Sequence, residues 1–249
     1  MTTALLPLIP EQPQTGWTVR SCLDNLSVVT WAIPPSRLAS RLPAPLAAET
    51  ITIDGQPRAL VSAVTFCNHD FRPTWLPLPG LTLGQTNYRV YVRCPASAGA
   101  ERGVFFLGTT IDTAFASIPR RLWSMPWRRA RYRFGPGWVS AAGEWPLRLR
   151  LEARRPGTPA LPGFPDEATA LGILTQPWVG FYARGGGLGR YTIWHAPYEC
   201  HTATLTEAHF PLLDTLGVVP LAEQQSPHSV LLTPRTRYNI YLPPRRWVP

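Results

Sequence analysis

The side chains best suited to acid and base chemistry are His195 and Glu199, which lie four positions apart in the segment His-Ala-Pro-Tyr-Glu. Imidazole changes its charge near neutral pH and is the most common general acid or base in enzymes. We therefore predict His195 and Glu199 as the catalytic pair if the protein turns a substrate over. The aromatic residue of the same motif, Tyr198, is predicted to contact the substrate.

The chain contains no lysine, and all 24 of its basic side chains are arginine. Lysine forms imines with carbonyl substrates, anchors pyridoxal phosphate and reaches the phosphates of a P-loop, so these reaction classes are excluded. Guanidinium is a poor base, but it donates a planar fork of hydrogen bonds to carboxylates and phosphates. Turnover would have to use His, Asp, Glu, Cys, Tyr or bound water.

Residues 87–93 alternate between apolar and polar side chains, as expected of a strand with one face in a core. Tyr88, Val90 and Val92 share one face. Arg89 and Tyr91 lie on the other, where they can present chemistry instead of packing. We predict that Arg89 and Tyr91 bind the substrate, with Arg89 holding an anionic group.

The 249 residues, of which 45% are apolar, are sufficient for one large domain over 1–249, with 1–15 expected to be a loose arm. Few charges, 29 prolines and 19 glycines indicate a loop-rich β protein. We predict an α+β fold of mainly antiparallel strands in a curled sheet or barrel with a few short helices. The predicted strands are 17–33, 51–53, 59–67, 87–93, 103–111, 129–134, 145–155, 178–184, 190–195, 199–205 and two within 229–242, and the predicted helices are 36–42, 112–123, 166–174 and 207–216.

The formal charge of +9 makes nucleic acid, anionic lipid and acidic small molecules the partners to consider. Alternation places the arginines of 129–133 on one strand face and those of 148–150 on another. Two such strands side by side would form a basic stripe, although a solvated face is the more common outcome. No nucleic-acid-binding module is present, so we expect no specific nucleic acid and at most weak, salt-sensitive binding.

No cofactor or metal site is written in the sequence. The glycines of 185–189 lie between two strand patterns, which favours a hairpin turn over a phosphate loop. Two pairs could contribute ligands to a metal site, although neither matches a standard spacing: Cys67 with His69, and Cys200 with His201. No stretch approaches about 18 apolar residues and no basic leader is present, so we expect a cytoplasmic protein without a membrane span.

Three segments in this order carry a resemblance to a known family: LGQTNYRVYVR at 83–93, GVFFLGTTIDTAFASIPRRLWSMPWRRARYR at 103–133, and RYTIWHAPY at 190–198 followed by PHSVLLTPRTRYNIYLP. Together they resemble the YqjF-like proteins, a domain of unknown function in the acetoacetate decarboxylase-like superfamily. The resemblance covers most of 20–245. It implies a cone-shaped antiparallel β-barrel with flanking helices and an internal cavity.

The same resemblance implies where the site lies and which chemistry it lacks. True acetoacetate decarboxylases carry a Gly-Phe-Pro-Lys-Lys segment whose lysine forms an imine. Here Trp127 and Arg128 occupy the positions of the lysine pair, so Schiff-base decarboxylation is not available. The family tends to have a glutamate where this chain has Gln85. The resemblance implies that Gln85, Trp127 and Arg128 contact the substrate.

These observations leave three functions open. The first is an enzyme-like pocket for an apolar or aromatic compound bearing a carbonyl or carboxylate, acting by lysine-independent cyclisation, dehydration, isomerisation or decarboxylation. The second is a carrier or sensor with the same cavity and no turnover, and the third is an interaction module using the arginine face. The sequence leaves a homo-oligomer open as well.

Overall fold

The structure is a computed structural model that describes residues 11–77, 79–94, 101–156, 160–233 and 235–247, with the backbone alone for 153–156. The described residues form fourteen strands and three α-helices. The strands are β1 Val19–Ile33, β2 Ala47–Ala48, β3 Thr50–Ile53, β4 Gln56–Pro73, β5 Leu81–Cys94, β6 Glu101–Ile111, β7 Trp127–Gly135, β8 Trp138–Gly143, β9 Leu147–Pro156, β10 Val179–Arg184, β11 Gly187–His195, β12 His201–His209, β13 Ser229–Thr233 and β14 Thr236–Trp247. The helices are α1 Ser117–Trp123, α2 Glu167–Thr175 and α3 Pro211–Thr215.

The strands form one large, mostly antiparallel curled sheet that closes on itself twice. A seven-stranded ring consists of β1, β4, β5, β6, β10, β11 and β14, and it closes through a parallel pairing of β10 with β6. A nine-stranded ring shares β1, β4, β5 and β6 and continues through β7, β8, β9, β12 and β13. This architecture confirms the predicted α+β class with a few short helices.

The four shared strands are covered on both faces, which explains their nearly continuous burial. In β5, Tyr88 and Val90 face the core of the nine-stranded ring, where they pack with residues such as Phe210. Tyr91 faces the opposite way, into the seven-stranded ring, together with residues such as Tyr182. The alternation read from the sequence is therefore real, but both of its faces are interior.

Several predicted elements have different boundaries in the structure. The strands predicted over 59–67 and 87–93 are longer, because β4 extends to Pro73 and β5 begins at Leu81. The helix predicted over 36–42 is a single 3-10 turn, Pro35–Leu38. Strand β8 was not predicted. Its six residues are rich in alanine, serine and glycine and carry little strand signal of their own.

The helix predicted over 207–216 is wrong in its first half. Residues 207–209 continue β12, which pairs with β9 as far as His209 opposite Arg148, and α3 begins only at Pro211. Pairing with a neighbouring strand has overridden the local helix preference. By contrast, α2 is confirmed, and Asp166 caps it by accepting a hydrogen bond from the Thr169 backbone at 2.6 Å.

Phe210 lies in the core of the nine-stranded ring, and we expect it to contribute strongly to the free energy of unfolding. Phe210 is fully buried and makes edge-to-face contacts with Trp31 and Tyr88. Phe210→Ala should lower the free energy of unfolding in urea by about 3–5 kcal/mol, because it leaves a large cavity. Phe115→Ala is the matched control: this ring is 62% exposed, so the change should stay within about 0.5 kcal/mol. Equal effects of the two substitutions would contradict this account of the core.

Candidate functional site

The seven-stranded ring contains a cavity of about 450 Å³. Its walls come from β1, β4, β5, β11 and β14, and the segment around α1 covers one side. Most of the lining is apolar, and it includes Trp123, Met125 and Trp127. The polar side chains of the lining are few: Gln85 and Asn87 at neighbouring positions of β5, Arg72 and Thr113, with the phenols of Tyr191 and Tyr238 across the space.

Gln85 and Asn87 are the inner end of a relay of buried side chains. Ser21 Oγ donates to Asn68 Oδ1 at 3.0 Å, Asn68 Nδ2 donates to Gln85 Oε1 at 3.3 Å, and Gln85 Nε2 donates to Asn87 Oδ1 at 3.0 Å. The Thr109 hydroxyl also donates to Asn87 Oδ1, at 3.0 Å. Consecutive hydrogen bonds of this kind polarise one another and hold each amide in one orientation.

The relay determines which atom of the Asn87 side chain is available to a ligand. Because its Oδ1 already accepts two hydrogen bonds, the remaining group of this side chain is the Nδ2 amide, which can only donate. No described residue accepts a hydrogen bond from Asn87 Nδ2. This part of the cavity wall therefore presents N–H donors, which suit a carbonyl or carboxylate oxygen.

Arg89 lies one step deeper on the same face of β5 and is buried. Its Nε donates to Ser62 Oγ at 3.1 Å, and its Nη2 donates to Tyr91 Oη at 3.2 Å and to the Leu174 carbonyl at 3.0 Å. Tyr91 Oη donates to the same carbonyl at 2.8 Å. Among the described residues, none offers Arg89 a carboxylate or accepts from its Nη1. The guanidinium is thus a buried positive charge held by neutral oxygens.

The neutral oxygens that hold Arg89 include the last turn of α2, since Leu174 is its penultimate residue. The carbonyl end of a helix carries partial negative charge, so a cation is favourable there. This contact fixes α2 against the inner face of the ring. Arg89 and Tyr91 were predicted to bind substrate. Neither is among the residues that line this cavity, and both donate a hydrogen bond to α2 instead.

His195 lies at the end of β11, close to Arg89 but outside the cavity lining. Its ring stacks on Tyr198 at 4.0 Å between centroids and lies parallel to Tyr238 at 6.3 Å. Its Nδ1 lies 2.8 Å from the Ala196 carbonyl oxygen, and the Thr175 backbone also hydrogen-bonds to the ring. Burial is the main cause that lowers the pKa of His195 to about 4, and the charge of Arg89 acts in the same direction. The imidazole is therefore neutral at physiological pH.

The predicted catalytic pair is not assembled. Glu199 is exposed, and among the described residues it forms no ion pair or hydrogen bond with His195. Tyr198 packs on His195 instead of lining the cavity, and burial raises the pKa of its phenol. No carboxylate supports the imidazole as a base, which removes the acid–base constellation expected from the motif.

Of the two residues at the family's lysine positions, only Trp127 reaches the cavity. Arg128 follows it in β7 and therefore points to the opposite face, as strand alternation requires. There its Nε pairs with Glu144 at 3.0 Å and its guanidinium lies 5.2 Å from the Trp145 ring. Arg128 does not lie where it could hold a substrate in this cavity.

Sequence reasoning missed Asn68, Asn87, Tyr191 and Tyr238. Asn87 could have been found, because it shares the strand face of Gln85 and Arg89. Tyr191 and Tyr238 lie on β11 and β14, and only ring closure brings them opposite β5. No local pattern carries that information.

The basic stripe also differs from the expectation of two adjacent strands, because β8 lies between β7 and β9. Arg133 and Arg148 face each other across Ser140, and Arg148 pairs with Glu207 at 2.7 Å. Arg129 and Arg131 lie in the same open groove. The side chains of Arg154 and Arg155 lie outside the described residues.

Metal and membrane features can be stated for the described residues. Within them, no group of three or more His, Cys, Asp or Glu side chains could hold a metal ion. His69 instead lies 3.7 Å from Asp24, and Cys200 Sγ lies 3.7 Å from Thr233 Oγ1. None of the described helices has both the length and the apolar character to cross a membrane.

Residues 21–237 match the sequence model of DUF2071, described as an uncharacterized conserved protein (COG2071). The chain belongs to this family. The match extends from β1 to the first residues of β14 and so includes the cavity-lining residues of β4, β5, β7 and β11. No curated protein matches the chain.

Solved structures with the same fold belong to acetoacetate decarboxylase-like proteins. An acetoacetate decarboxylase-like enzyme from Sphingomonas wittichii RW1 aligns with a TM-score of 0.58 at 14% identity, covering 94% of both chains. Acetoacetate decarboxylase from Legionella pneumophila aligns at 0.60 and 11%, covering 100% of this chain and 98% of that one. The enduracididine biosynthesis enzyme MppR aligns at 0.56 and 11%, covering 98% and 92%. At these identities the likeness shows the fold alone.

The environment of His195 predicts part of the pH dependence of stability. The pKa of His195 is about 4 in the folded protein against an ordinary value of 6.5. Between these pH values the unfolded chain binds more protons, so stability should fall as pH is lowered from about 6.5 to about 4, by up to about 3 kcal/mol. His195→Phe keeps an aromatic ring in the stack but cannot titrate. Urea unfolding across this range should show a shallower pH dependence for His195→Phe, and identical curves would contradict the burial of the imidazole.

Proposed function

We propose that the protein binds a mainly apolar organic compound bearing a carbonyl or carboxylate group. The apolar body fits the aromatic and aliphatic walls of the cavity, and the oxygen fits the Nδ2 donor of Asn87. A volume of about 450 Å³ lies within the usual range for small-molecule sites. The observation that carries this proposal is the amide relay, which fixes a hydrogen-bond donor on the wall of a mainly apolar cavity.

Arg89 supports a preference for an acid over a neutral compound. Burying a charge without a carboxylate partner is costly, and the protein compensates Arg89 only with dipoles. The charge lies near Tyr191 and Tyr238, which both line the cavity and both have pKa values affected by Arg89. A carboxylate in the cavity would therefore experience a favourable potential without needing direct contact with the guanidinium.

Binding without turnover is better supported than acid–base catalysis. Asp, Glu, His and Cys are all absent from the described residues that line the cavity. Burial raises the pKa of Tyr191 and Tyr238, so both phenols stay protonated. The composition of the lining therefore favours a carrier or sensor over an enzyme. MppR, whose structure is a complex with a condensation product of pyruvate, supports ligand binding as a use of this fold.

The ligand class can be tested with matched acids and esters. Isothermal titration of arylalkanoic acids and their methyl esters should give at least about tenfold tighter binding for the acids, the gain expected for a charge-assisted hydrogen bond. Asn87→Leu should weaken binding of the best acid about tenfold or more. Asn239→Leu is the matched control, since Asn239 is buried but donates to Glu11 outside the cavity. Equal affinity of acids and esters, or equal effects of the two substitutions, would contradict the proposal.

The absence of lysine predicts that no imine forms. Incubation with pyruvate and sodium borohydride should leave the mass of the folded protein unchanged, apart from modification of the α-amine, which peptide mapping identifies. Trp127→Lys is the positive control, because it places an amine in the cavity wall. A borohydride-stable adduct on an internal residue of the unmodified protein would contradict the exclusion of imine chemistry.

A further inference from the structure

Exposed apolar side chains are concentrated around the mouth of the cavity. Seven large apolar residues of the described chain are substantially exposed, and six of them belong to three segments that border this opening. We call these six the apolar rim: Trp17, Trp75, Leu81, Phe115, Ile118 and Leu122. Single exposed apolar residues are ordinary, but a cluster at the opening of a cavity marks a surface that contacts something apolar.

Four rim residues both line the cavity and remain exposed, which places them at its edge. These are Trp17, Leu81, Phe115 and Ile118. Trp75 precedes the lining residue Leu76, and Leu122 lies one turn after Ile118 on the same face of α1. The rim is therefore continuous with the interior wall, so a ligand leaving the cavity would pass over apolar side chains.

Helix α1 has no buried residue, which is unusual for a helix of a folded domain. Leu122 is 63% exposed and Phe115, just before the helix, is 62% exposed. Between them lie Arg120 and Arg121, which are exposed and form no ion pair with any described residue. The helix thus presents apolar side chains and unpaired positive charge together, the combination found in segments that lie in a membrane interface.

We propose that the apolar rim docks on an anionic lipid bilayer, with Phe115, Ile118 and Leu122 inserted and Arg120 and Arg121 at the headgroups. Charge complementarity favours this occupant over a second copy of the chain. Two copies would bring their arginines together, and each chain carries a formal charge of +9. Docking in this orientation turns the mouth of the cavity toward the bilayer, so an apolar acid could pass between membrane and cavity without crossing water.

The experiment is sedimentation with vesicles of phosphatidylcholine, either alone or with about 30% phosphatidylglycerol, at low and high salt. We expect binding to the anionic vesicles that weakens with salt. Phe115→Ser combined with Leu122→Ser should lower the partition coefficient at least about tenfold, because two exposed side chains lose their insertion. Arg120→Gln combined with Arg121→Gln should lower it roughly fivefold per charge.

Matched controls separate specific docking from general attraction. Leu221→Ser removes the remaining large exposed apolar side chain of the described residues, which lies in the Leu221–Glu223 turn and not on the rim. Arg131→Gln combined with Arg133→Gln removes two charges from the face of β7. Both controls should bind vesicles like the unmodified protein. Equal loss in a control and its rim counterpart would overturn the proposal.

Two further measurements distinguish the remaining outcomes. If light scattering shows a dimer that Phe115→Ser with Leu122→Ser converts to a monomer, and vesicles do not bind, the rim is an interface between copies and the proposal is wrong. Docking extends the proposed ligand binding but does not need it for the assay. Trp75→Ser combined with Leu122→Ser changes two rim residues outside the cavity lining. This variant should lose vesicle binding but still bind a soluble arylalkanoic acid in vesicle-free buffer, so loss of docking and loss of ligand binding are separately visible.

Discussion

A buried guanidinium organises one end of the seven-stranded ring. Arg89 donates to a serine on β4, a tyrosine on its own strand and the last turn of α2, so one side chain joins three elements. Because no described carboxylate neutralises it, these dipoles must remain in place for the charge to stay buried. The same charge contributes to the low pKa of His195, which keeps the imidazole neutral in its aromatic stack.

The two faces of β5 differ in character because the strand lies between two rings. Its Tyr88 face packs into the mainly apolar core of the nine-stranded ring, while its opposite face carries the amides of Gln85 and Asn87, which hydrogen-bond to each other. Buried amides are acceptable only where their hydrogen bonds are complete, and Asn87 Nδ2, which has no acceptor among the described residues, belongs to a side chain that lines the cavity. A ligand oxygen is the group that would complete the relay.

The fold is that of acetoacetate decarboxylase-like proteins. The cavity of this chain, however, has no lysine that could form an imine with a substrate. Trp127 fills the wall where an amine would be needed, and the described lining has no carboxylate to assist. The apolar rim and the apolar wall are instead continuous surfaces. A shared fold with a different set of side chains is consistent with a binding role, because function depends on the site and not on the scaffold.

The sequence by itself determined the mainly antiparallel α+β class, the alternation of β5, the presence of α2 and the exclusion of lysine chemistry, because each depends on residue type or on spacing along one segment. The family resemblance, carried by short motifs, implied an internal cavity and substrate contacts by Gln85 and Trp127. Both residues line the cavity of the seven-stranded ring, and their contact with a substrate stays a prediction. Only the tertiary structure decided that Arg89 holds α2, that Arg128 faces outward and that His195 has no carboxylate partner. These outcomes depend on which distant strands close the ring and which side of each strand faces inward, and strand pairing between distant segments leaves no local signature in the sequence.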